Sequence, residues 1–553
     1  MVTSDPRAFL AIELGAATNS AALIGRLGGR WRLLGGLALP AGVPIDAIVD
    51  RLVESVLAAD ATIGEAIDAA ALGSPAAWPR LVVRSSPPPA VTVLAASEST
   101  RRRLEATAIA AGWRPSGASL ERSETLDLLR AGLTGTTDVV LAGTDDPPSR
   151  SERGGLAALA AVVEAIGERR PEVTIVLAGA LALLVPDATH DEARLAAATA
   201  GRARSRGDGP TRIYGPAPGD PARGDPLVDL LHRLGGRPND ALAGVARTTA
   251  SLAAILDRRL ETVGVGLDAG IRVAAWPSSE DDANDGVVVR SAISASGGLV
   301  PQKLDDATVD GVLAWSTVPL DRIRLRDRLG DLRRAPWGDP DGDGAALRLA
   351  AARAALARLI AATPAMDDVP APDLVIATGG AFAPAPGPAV ALALADVLRR
   401  ASACQFAFDH ARLMGPLGAI PVESERRLLL RDLADDLLAP LGSVVSPQGL
   451  RAGRSAGRVV VHAGAGSSEL DLVPGGLQLV DLPPGQVATA EFEFRDPVVL
   501  GTRGRRFAVE VGGGLGGLLI DLRDVPLRLP DRLEHRRELL AAWQGALWAG
   551  GDR

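Results

Sequence analysis

The feature that most limits how this chain can fold is a repeat, in which three short apolar strands joined by tight turns occur twice. Each set is followed by alternating strand and helix patterns, which predict a parallel sheet covered by helices. The repeat therefore predicts an α/β protein with two lobes of similar build. The predicted strands are Phe9–Gly15, Ser20–Leu27 and Trp31–Leu39 in the first set, and Val263–Leu267, Ile271–Trp276 and Val287–Ile293 in the second.

A length of 553 residues exceeds what one hydrophobic core supports. We predict an N-terminal lobe over residues 1–255, a C-terminal lobe over residues 256–455 and a small β-rich module over residues 456–553. In this last module, short strands punctuated by Gly and Pro predict a small antiparallel sandwich or barrel, closed by a final helix at Arg532–Trp548. In the first lobe, a helix is predicted near Asp191–Ala200, and the Gly-, Pro- and Arg-rich segment Gly201–Gly224 predicts a surface loop.

Composition argues against several classes of function. The formal net charge is −8, and the arginines are scattered among acidic residues without a basic stripe, so we expect no nucleic-acid partner. No apolar run reaches the ~18 residues of a membrane span, and the polar start Met1–Arg7 is unlike a signal or transit peptide. Cys404 is the only cysteine, which is typical of a reducing compartment. We therefore expect a cytoplasmic protein without membrane contact.

Three glycine-containing turns are candidates for binding a nucleotide. The first, Glu13–Ser20, lies between two predicted strands and offers backbone N–H groups, hydroxyls and one carboxylate to a phosphate or its Mg²⁺ ion. Its candidate binding residues are Glu13, Gly15, Thr18 and Asn19. A hairpin turn in which glycine relieves backbone strain explains the same pattern.

The second candidate turn joins two strands of the second set and contains Asp268 and Gly270. The third follows a buried strand and reads Thr378-Gly379-Gly380, where paired glycines let the backbone approach a ligand at the carboxyl end of a sheet. A cleft between two lobes would bring these turns opposite one another. An ordinary turn is the alternative interpretation at each position.

Four stretches resemble the accessory protein of adenosylcobalamin-dependent glutamate (methylaspartate) mutase, a MutL-type family unrelated to mismatch repair. They are the strand-turn-strand start Ala11–Ile24, the strands Asp138–Asp145 and Thr174–Gly179, the strand Asp373–Gly380, and the run Phe408–Ala419 with Pro440–Gly449 behind it. Together they span roughly residues 9–455. The resemblance implies the actin/Hsp70-like (ribonuclease H-like) ATPase fold, with two lobes around a cleft that binds ATP and Mg²⁺.

The same resemblance implies a function. The protein would act as a chaperone that protects or reactivates the mutase, with a subunit of that mutase as its partner. Glu13 and Asp268 would be the metal ligands. The five histidines lie far apart without metal-ligand spacing, so we expect no direct cobalamin site.

The phosphate turns depart from the family pattern. Glu13 stands where the family has Asp, and Ala16 and Ala17 stand where it has hydroxyl residues. In the second turn, Val265 takes the position of the metal-orienting Asp unless the alignment is shifted to use Asp268. These changes remove electrostatic stabilisation that phosphoryl transfer requires. We therefore expect a non-catalytic protein or at most a weak ATPase.

Two other functions stay open. One is an active ATPase or small-molecule kinase of the same fold, in which Glu13 or Asp268 holds Mg²⁺ or acts as a base. The other is a nucleotide-free scaffold that docks partners through its C-terminal β-module. Arg272, in the strand after the second turn, is interpreted either as a phosphate-neutralising side chain or as an exposed strand residue.

Overall fold

The structure is a computed structural model. It describes residues 7–67, 74–184, 211–216, 226–235, 240–278 and 286–548, apart from short internal gaps at 86, 135–136, 138, 302–303, 337, 340, 364–365, 367–368, 384, 452–453, 465 and 524–526. The helix predicted near Asp191–Ala200 lies outside the described residues. In the described part of the chain, no helix combines the length and the apolar character needed to cross a membrane.

The first lobe is built on a four-stranded sheet of order β3-β2-β1-β4. Strands β1 to β3 form an antiparallel meander, and β4 pairs parallel to β1. Gly28 and Gly29 both have positive φ, which suits the tight turn between β2 and β3. Helices α1 and α2 cover one face. The elements are β1 (Ala8–Leu14), β2 (Thr18–Leu27), β3 (Arg30–Pro40), α1 (Ile45–Ala59), α2 (Ala61–Ala66) and β4 (Arg80–Arg84).

A second sheet is inserted into this lobe between Arg84 and Asp240, which form a parallel bridge. All five of its strands are parallel, in the order β6-β5-β7-β8-β9. Strand β9 falls within Gly201–Gly224, so the prediction of a loop there was wrong at residues 211–215: pairing with β8 and burial of Ile213 make this short stretch a strand. The elements are β5 (Ala90–Ala95), α3 (Glu98–Ala110), β6 (Arg114–Ser119), α4 (Thr125–Thr134), β7 (Val139–Gly143), α5 (Arg150–Arg153), α6 (Leu156–Arg169), β8 (Thr174–Ala178), β9 (Thr211–Gly215) and α7 (Pro226–Gly235).

The second lobe repeats the build of the first on a larger sheet, of order β12-β11-β10-β13-β14-β15-β21-β18. Strands β10 to β12 form an antiparallel meander, and β13 and β14 continue it in parallel. The elements up to β15 are α8 (Ala241–Leu256), β10 (Leu260–Val265), β11 (Gly270–Pro277), β12 (Val287–Ser294), α9 (Asp306–Leu313), α10 (Arg322–Arg334), α11 (Gly342–Ala362), β13 (Leu374–Thr378), α12 (Gly387–Val397), β14 (Ala403–Phe408), α13 (Met414–Leu417), α14 (Glu423–Leu437) and β15 (Ala439–Val445).

The C-terminal segment forms an antiparallel sheet of order β17-β16-β19-β20, and it also adds β21 and β18 to the sheet of the second lobe. A buried ion-pair network links it to that lobe: Arg523 binds both Asp521 and Asp396, and Arg399 also binds Asp521. The elements are β16 (Gly457–Ala463), β17 (Gly466–Leu472), β18 (Leu477–Val480), β19 (Val487–Leu500), β20 (Thr502–Gly512), β21 (Leu518–Asp521) and α15 (Leu533–Trp548). The predicted domain boundaries stay a prediction.

The strand orders establish the fold class. An antiparallel meander with a parallel fourth strand beside its first strand occurs in both lobes. This confirms the two-lobed actin/Hsp70-like, ribonuclease H-like fold, and the sheet of β16, β17, β19 and β20 supplies a small antiparallel β-module.

The lobes share a hydrophobic core. Phe9 and Ala22 of the first sheet pack in one cluster with Leu252 of α8 and with Leu260 and Ile376 of the second sheet. A polar contact on the surface adds to it, because Arg32 of β3 forms an ion pair with Asp436 of α14 at 2.6 Å. The two lobes are therefore joined on one side and separate on the other, where the cleft lies.

Candidate functional site

The cleft is bounded by three turns, and they are the turns that the sequence singled out. Residues 15–18 of the first lobe face residues 264–269 and 378–381 of the second. The cavity has a volume of about 860 Å³ including space open to solvent. Glu13, Gly15, Thr18, Asp268, Thr378, Gly379 and Gly380 line it. Most of the other lining residues are small or apolar, so few charged groups determine its chemistry.

Glu13 is bound by an arginine from the second lobe. Its Oε1 accepts hydrogen bonds from Arg412 Nη2 at 2.8 Å and from Ser85 Oγ at 2.7 Å. Arg412 also donates through Nη1 to the hydroxyl of Thr18. Glu13 and Arg412 are both buried, at 8% and 6% exposure. The carboxylate predicted to hold Mg²⁺ is therefore neutralised by a guanidinium group from the same chain.

The backbone of Arg412 is in the left-handed region, with φ of +56°, which is unfavourable for a residue other than glycine. Asp409 stabilises this turn, because its carboxylate accepts the backbone N–H groups of Leu413 at 2.8 Å and Met414 at 3.3 Å. It also accepts a hydrogen bond from the Thr378 hydroxyl at 2.9 Å. The turn that presents Arg412 is thus tied to the glycine turn of the cleft.

Asp409 is the most perturbed acid near the cleft. Burial raises its pKa to about 6, although hydrogen bonds from Thr378 and from the backbone of Leu413 and Met414 oppose the rise. The negative charge of Glu13 adds to the increase in pKa. Asp409 itself does not line the cleft. Its contacts are those of a residue that positions the turn.

Asp268, the second predicted metal ligand, is also bound by an arginine. Arg333 of α10 donates to its Oδ1 at 2.6 Å, and the same guanidinium donates to the carbonyl of Val300. The pair is largely buried, at 16% exposure for the Asp268 side chain and 26% for Arg333. Neither predicted metal ligand is a free carboxylate.

The glycines of the third turn are required by close backbone contacts. Gly379 has φ of +96°, and a Cβ atom there would lie 2.5 Å from the carbonyl oxygen of Val265. A Cβ atom at Gly380 would lie 3.3 Å from Thr18 Oγ1 and 3.9 Å from Arg412 Nη1. Because Gly380 has no side chain, the backbone of the second lobe comes close to Thr18 of the first lobe.

Two predicted site residues do not line the cleft. Asn19 donates from Nδ2 to the carbonyl groups of Ala41 and Val43, at 3.2 and 3.3 Å, so it fastens the segment after β3. Gly270 does not border the cavity, and a Cβ atom there would lie 2.8 Å from the carbonyl oxygen of Gly297. Its small size serves packing within the second lobe.

Both interpretations of Arg272 were wrong. Its neighbour Ile271 lines the cleft, and alternate residues of a strand face opposite sides of a sheet. The Arg272 side chain is only 3% exposed and binds Glu261 at 2.7 Å, and Glu261 also binds Arg400 at 3.0 Å. Arg272 therefore belongs to a buried ion-pair cluster behind the sheet.

A further cation borders the cleft. Arg348 of α11 is buried, at 4% exposure, and donates to the carbonyls of Pro336 at 2.7 Å and Asp339 at 3.1 Å. Burial lowers the pKa of this guanidinium, while the charge of Asp339 acts in the opposite direction. Arg348 adds positive charge on the second-lobe side of the cleft.

The residues present do not fit a Mg²⁺ ion. Magnesium requires oxygen ligands in near-octahedral geometry, usually one or two carboxylates with water and phosphate. Glu13 and Asp268 are already bound by Arg412 and Arg333, which would repel a divalent cation. Among the described residues, no group of three or more His, Cys, Asp or Glu side chains could hold a metal ion.

Sequence reasoning missed the arginines and Asp409. Asp409 and Arg412 lie in the Phe408–Ala419 run that carries the family resemblance, but nothing local indicates that Arg412 contacts a residue 399 positions away. Arg333 lies on an arginine-rich helix among several exposed arginines. The signal that the sequence offered near Asp409 was this resemblance, which does not identify a partner.

Some solved structures share a distant likeness with this chain. No protein-family model matches the chain, and no curated protein matches it significantly. Component A of (R)-2-hydroxyglutaryl-CoA dehydratase from Acidaminococcus fermentans is 9% identical, with a TM-score of 0.26, over 76% of this chain and 98% of that one. Nucleotide-free acetone carboxylase is 10% identical, with a TM-score of 0.28, over 84% and 80%. A type IV pilus biogenesis complex, PilM–PilN, is 11% identical, with a TM-score of 0.19, over 77% of this chain and 97% of that one. At these scores the likenesses carry no argument about function, and the fold assignment rests on the strand order.

Proposed function

We propose that this protein is an accessory factor that binds a subunit of an adenosylcobalamin-dependent mutase of the glutamate mutase type and does not catalyse phosphoryl transfer. The observation that carries the second half of the proposal is the buried ion pair between Glu13 and Arg412. The mutase partner comes from the sequence resemblance, which extends over both lobes of the ATPase fold.

Phosphoryl transfer needs a metal ion that bridges the phosphates and a group that positions the nucleophile. Glu13 is the only acid in the first turn, and Arg412 and Ser85 occupy its Oε1. Asp268 is occupied by Arg333 in the same way. Because both acids are neutralised within the protein, the cleft supports ligand binding better than turnover.

The rival function is an active ATPase or kinase of the same fold, and Asp409 is the residue that favours it. A buried acid with a pKa of about 6 has the properties of a general base. However, Asp409 is 1% exposed, does not line the cleft, and uses its oxygens on Thr378 and two backbone N–H groups. A base must reach the proton it removes, so we favour the non-catalytic function.

Phosphate release from ATP with Mg²⁺ tests the catalytic half. We expect no release above background for the wild-type protein, and no difference for Glu13→Ala or Asp268→Ala. Asp331→Ala, at a side chain 64% exposed on α10, is the matched control. Turnover that is abolished by Glu13→Ala but kept by Asp331→Ala would reject the proposal.

Isothermal titration of the protein into purified glutamate mutase subunits tests the partner half, without nucleotide present. We expect binding to one subunit with a stoichiometry near one to one. Absence of heat change together with no co-elution in gel filtration would reject the mutase partner and favour a scaffold with another partner.

A further inference from the structure

The guanidinium of Arg412 lies where the glycine turns of the two lobes meet. A Cβ atom at Gly15 would lie 3.6 Å from Arg412 Nη2, and a Cβ atom at Gly380 would lie 3.9 Å from Nη1. Glycine at both positions leaves the guanidinium flanked by backbone from each lobe. A positive group is therefore fixed between the glycine turns of the two lobes.

The ionisable groups that line the cleft are balanced in charge. The described ionisable groups that line it are Glu13, Asp268, Arg348 and Arg412, and Arg333 is paired with Asp268. Two guanidinium groups thus stand against two carboxylates in the lining, and each of these carboxylates is paired with a guanidinium group. An anion entering this cleft therefore meets the guanidinium groups of Arg348 and Arg412, whereas the two carboxylates that a divalent cation would need are already paired.

We propose that the cleft binds a phosphate-bearing anion, such as a nucleoside diphosphate, without a metal ion, and that Arg412 supplies the positive charge that a divalent cation supplies in a metal-dependent site. The proposal rests on the non-catalytic function proposed above and names its ligand. Arginine is suited to this role because its planar guanidinium binds phosphate oxygens through paired N–H groups and never loses its charge.

Arg412 has hydrogen-bond donors left for a ligand. Its contacts with Thr18 and Glu13 use one donor each on Nη1 and Nη2, and a guanidinium carries more N–H groups than these contacts occupy. Its Nε is buried and has no hydrogen-bond partner among the described residues. An unsatisfied buried donor is costly, and an incoming phosphate oxygen would relieve that cost.

The backbone around Arg412 supports the same conclusion. The left-handed conformation of Arg412 is unfavourable, yet Asp409 holds it through hydrogen bonds to the next two backbone N–H groups. Strained conformations of this kind cluster at ligand-binding sites, where the surrounding structure enforces them. Here the enforced conformation places the guanidinium against Glu13 and Thr18 inside the cleft.

The first test uses the wild-type protein and measures the effect of metal on binding. ADP is titrated by calorimetry in EDTA and then in excess Mg²⁺. We expect binding in EDTA, and about three- to tenfold weaker binding with Mg²⁺, because the metal neutralises the phosphates that Arg412 would contact. Binding that requires Mg²⁺, or no binding of ADP in EDTA, would overturn the proposal.

The second test changes the charge at the centre of the cleft. Arg412→Gln should weaken ADP binding in EDTA about tenfold or more, because a charge-assisted hydrogen bond is lost. Glu13→Gln should tighten it, because the guanidinium no longer shares its charge with a carboxylate. A metal-binding role for Glu13 predicts the opposite, namely weaker binding in Mg²⁺ and no gain in EDTA.

Arg506→Gln is the matched control, because this side chain is 83% exposed in β20 and does not line the cleft. Its binding constant should equal that of the wild type. Circular dichroism establishes which variants fold. If Arg412→Gln does not fold, the effect of Mg²⁺ on ADP binding by the wild type decides whether the proposal holds. If the wild type binds the mutase subunit but not ADP, this inference is rejected and the proposed function stands. If the wild type releases phosphate from ATP, the proposed function is rejected.

Discussion

Substitution of Asp409 by Asn should change how stability depends on pH. The carboxyl is fully buried, and burial raises its pKa from the ordinary 3.8 to about 6. A folded-state pKa above the unfolded value means that stability is greatest at low pH and is lost as pH rises through the folded pKa. One pKa unit is worth about 1.4 kcal/mol, so raising the pKa from 3.8 to about 6 costs the folded state about 3 kcal/mol in all once Asp409 is ionised, and about 2 kcal/mol of this is lost between pH 4.5 and pH 7.5.

The assay compares apparent melting temperatures of the wild type and Asp409→Asn from pH 4.5 to pH 7.5. Asn cannot ionise, so the variant should gain about 2 kcal/mol of stability relative to the wild type as the pH rises across this range. Asn also loses part of the hydrogen bonding to Thr378 and Met414, but that offset does not depend on pH. The change with pH is therefore the informative quantity.

Asp306→Asn controls for general effects of charge, since its side chain is 78% exposed. Its melting temperature relative to the wild type should show no trend of this size. A difference between Asp409→Asn and the wild type that stays constant from pH 4.5 to pH 7.5 would refute the reasoning, because it would mean that Asp409 does not titrate in this range.

Three further substitutions test the architecture by apparent melting temperature. Arg412→Gln should destabilise the fold by about 3–5 kcal/mol, because it leaves Glu13 buried and unpaired. The double variant with Glu13→Gln should recover part of this loss, and simple additivity of the two single effects on stability would contradict the pairing. Gly379→Ala should cost about 3 kcal/mol through its positive φ and its contact with a carbonyl, and an unchanged melting temperature would show that the turn can relax. For Asp521, burial alone would raise the pKa, but Arg523 outweighs it and lowers the pKa. The stability that ionised Asp521 contributes is therefore lost as pH falls. Asp521→Asn should cost about 3–5 kcal/mol of stability at pH 7 and less at pH 3. An equal cost at both pH values would argue against the charge pairing.

Much of the fold could be predicted because its signals are local. The strand sets of both lobes have regular apolar patterns, and the structure places strands within a few residues of the prediction at β1, β10 and β13. The strands that were missed lack that signal. Strand β4 begins and ends with arginine, and β6 reads Arg-Pro-Ser-Gly-Ala-Ser, so tertiary pairing rather than sequence determines their conformation.

The site was predicted only in part, for a different physical reason. Glycine turns can be recognised locally, and Gly15, Gly379 and Gly380 do line the cleft. The groups that determine its charge cannot be found that way, because Arg412 reaches Glu13 across 399 positions of sequence. An ion pair between lobes is set by the packing of two sheets, which no local pattern encodes.

The ion pair between Glu13 and Arg412 also bears on how the protein could act on a partner. A ligand shifts the balance between two lobe arrangements only by as much as its affinity differs between them. Here a charge pair within the chain already joins β1 to the turn after β14, and a shared core joins the sheets behind it. The lobes are therefore held together without any ligand, so a nucleotide has little left to gain from bringing them together. We expect the mutase partner to respond mainly to contacts made by the protein itself, and the affinity for the mutase subunit to change less than about fivefold when ADP is added, which a titration in both conditions would measure.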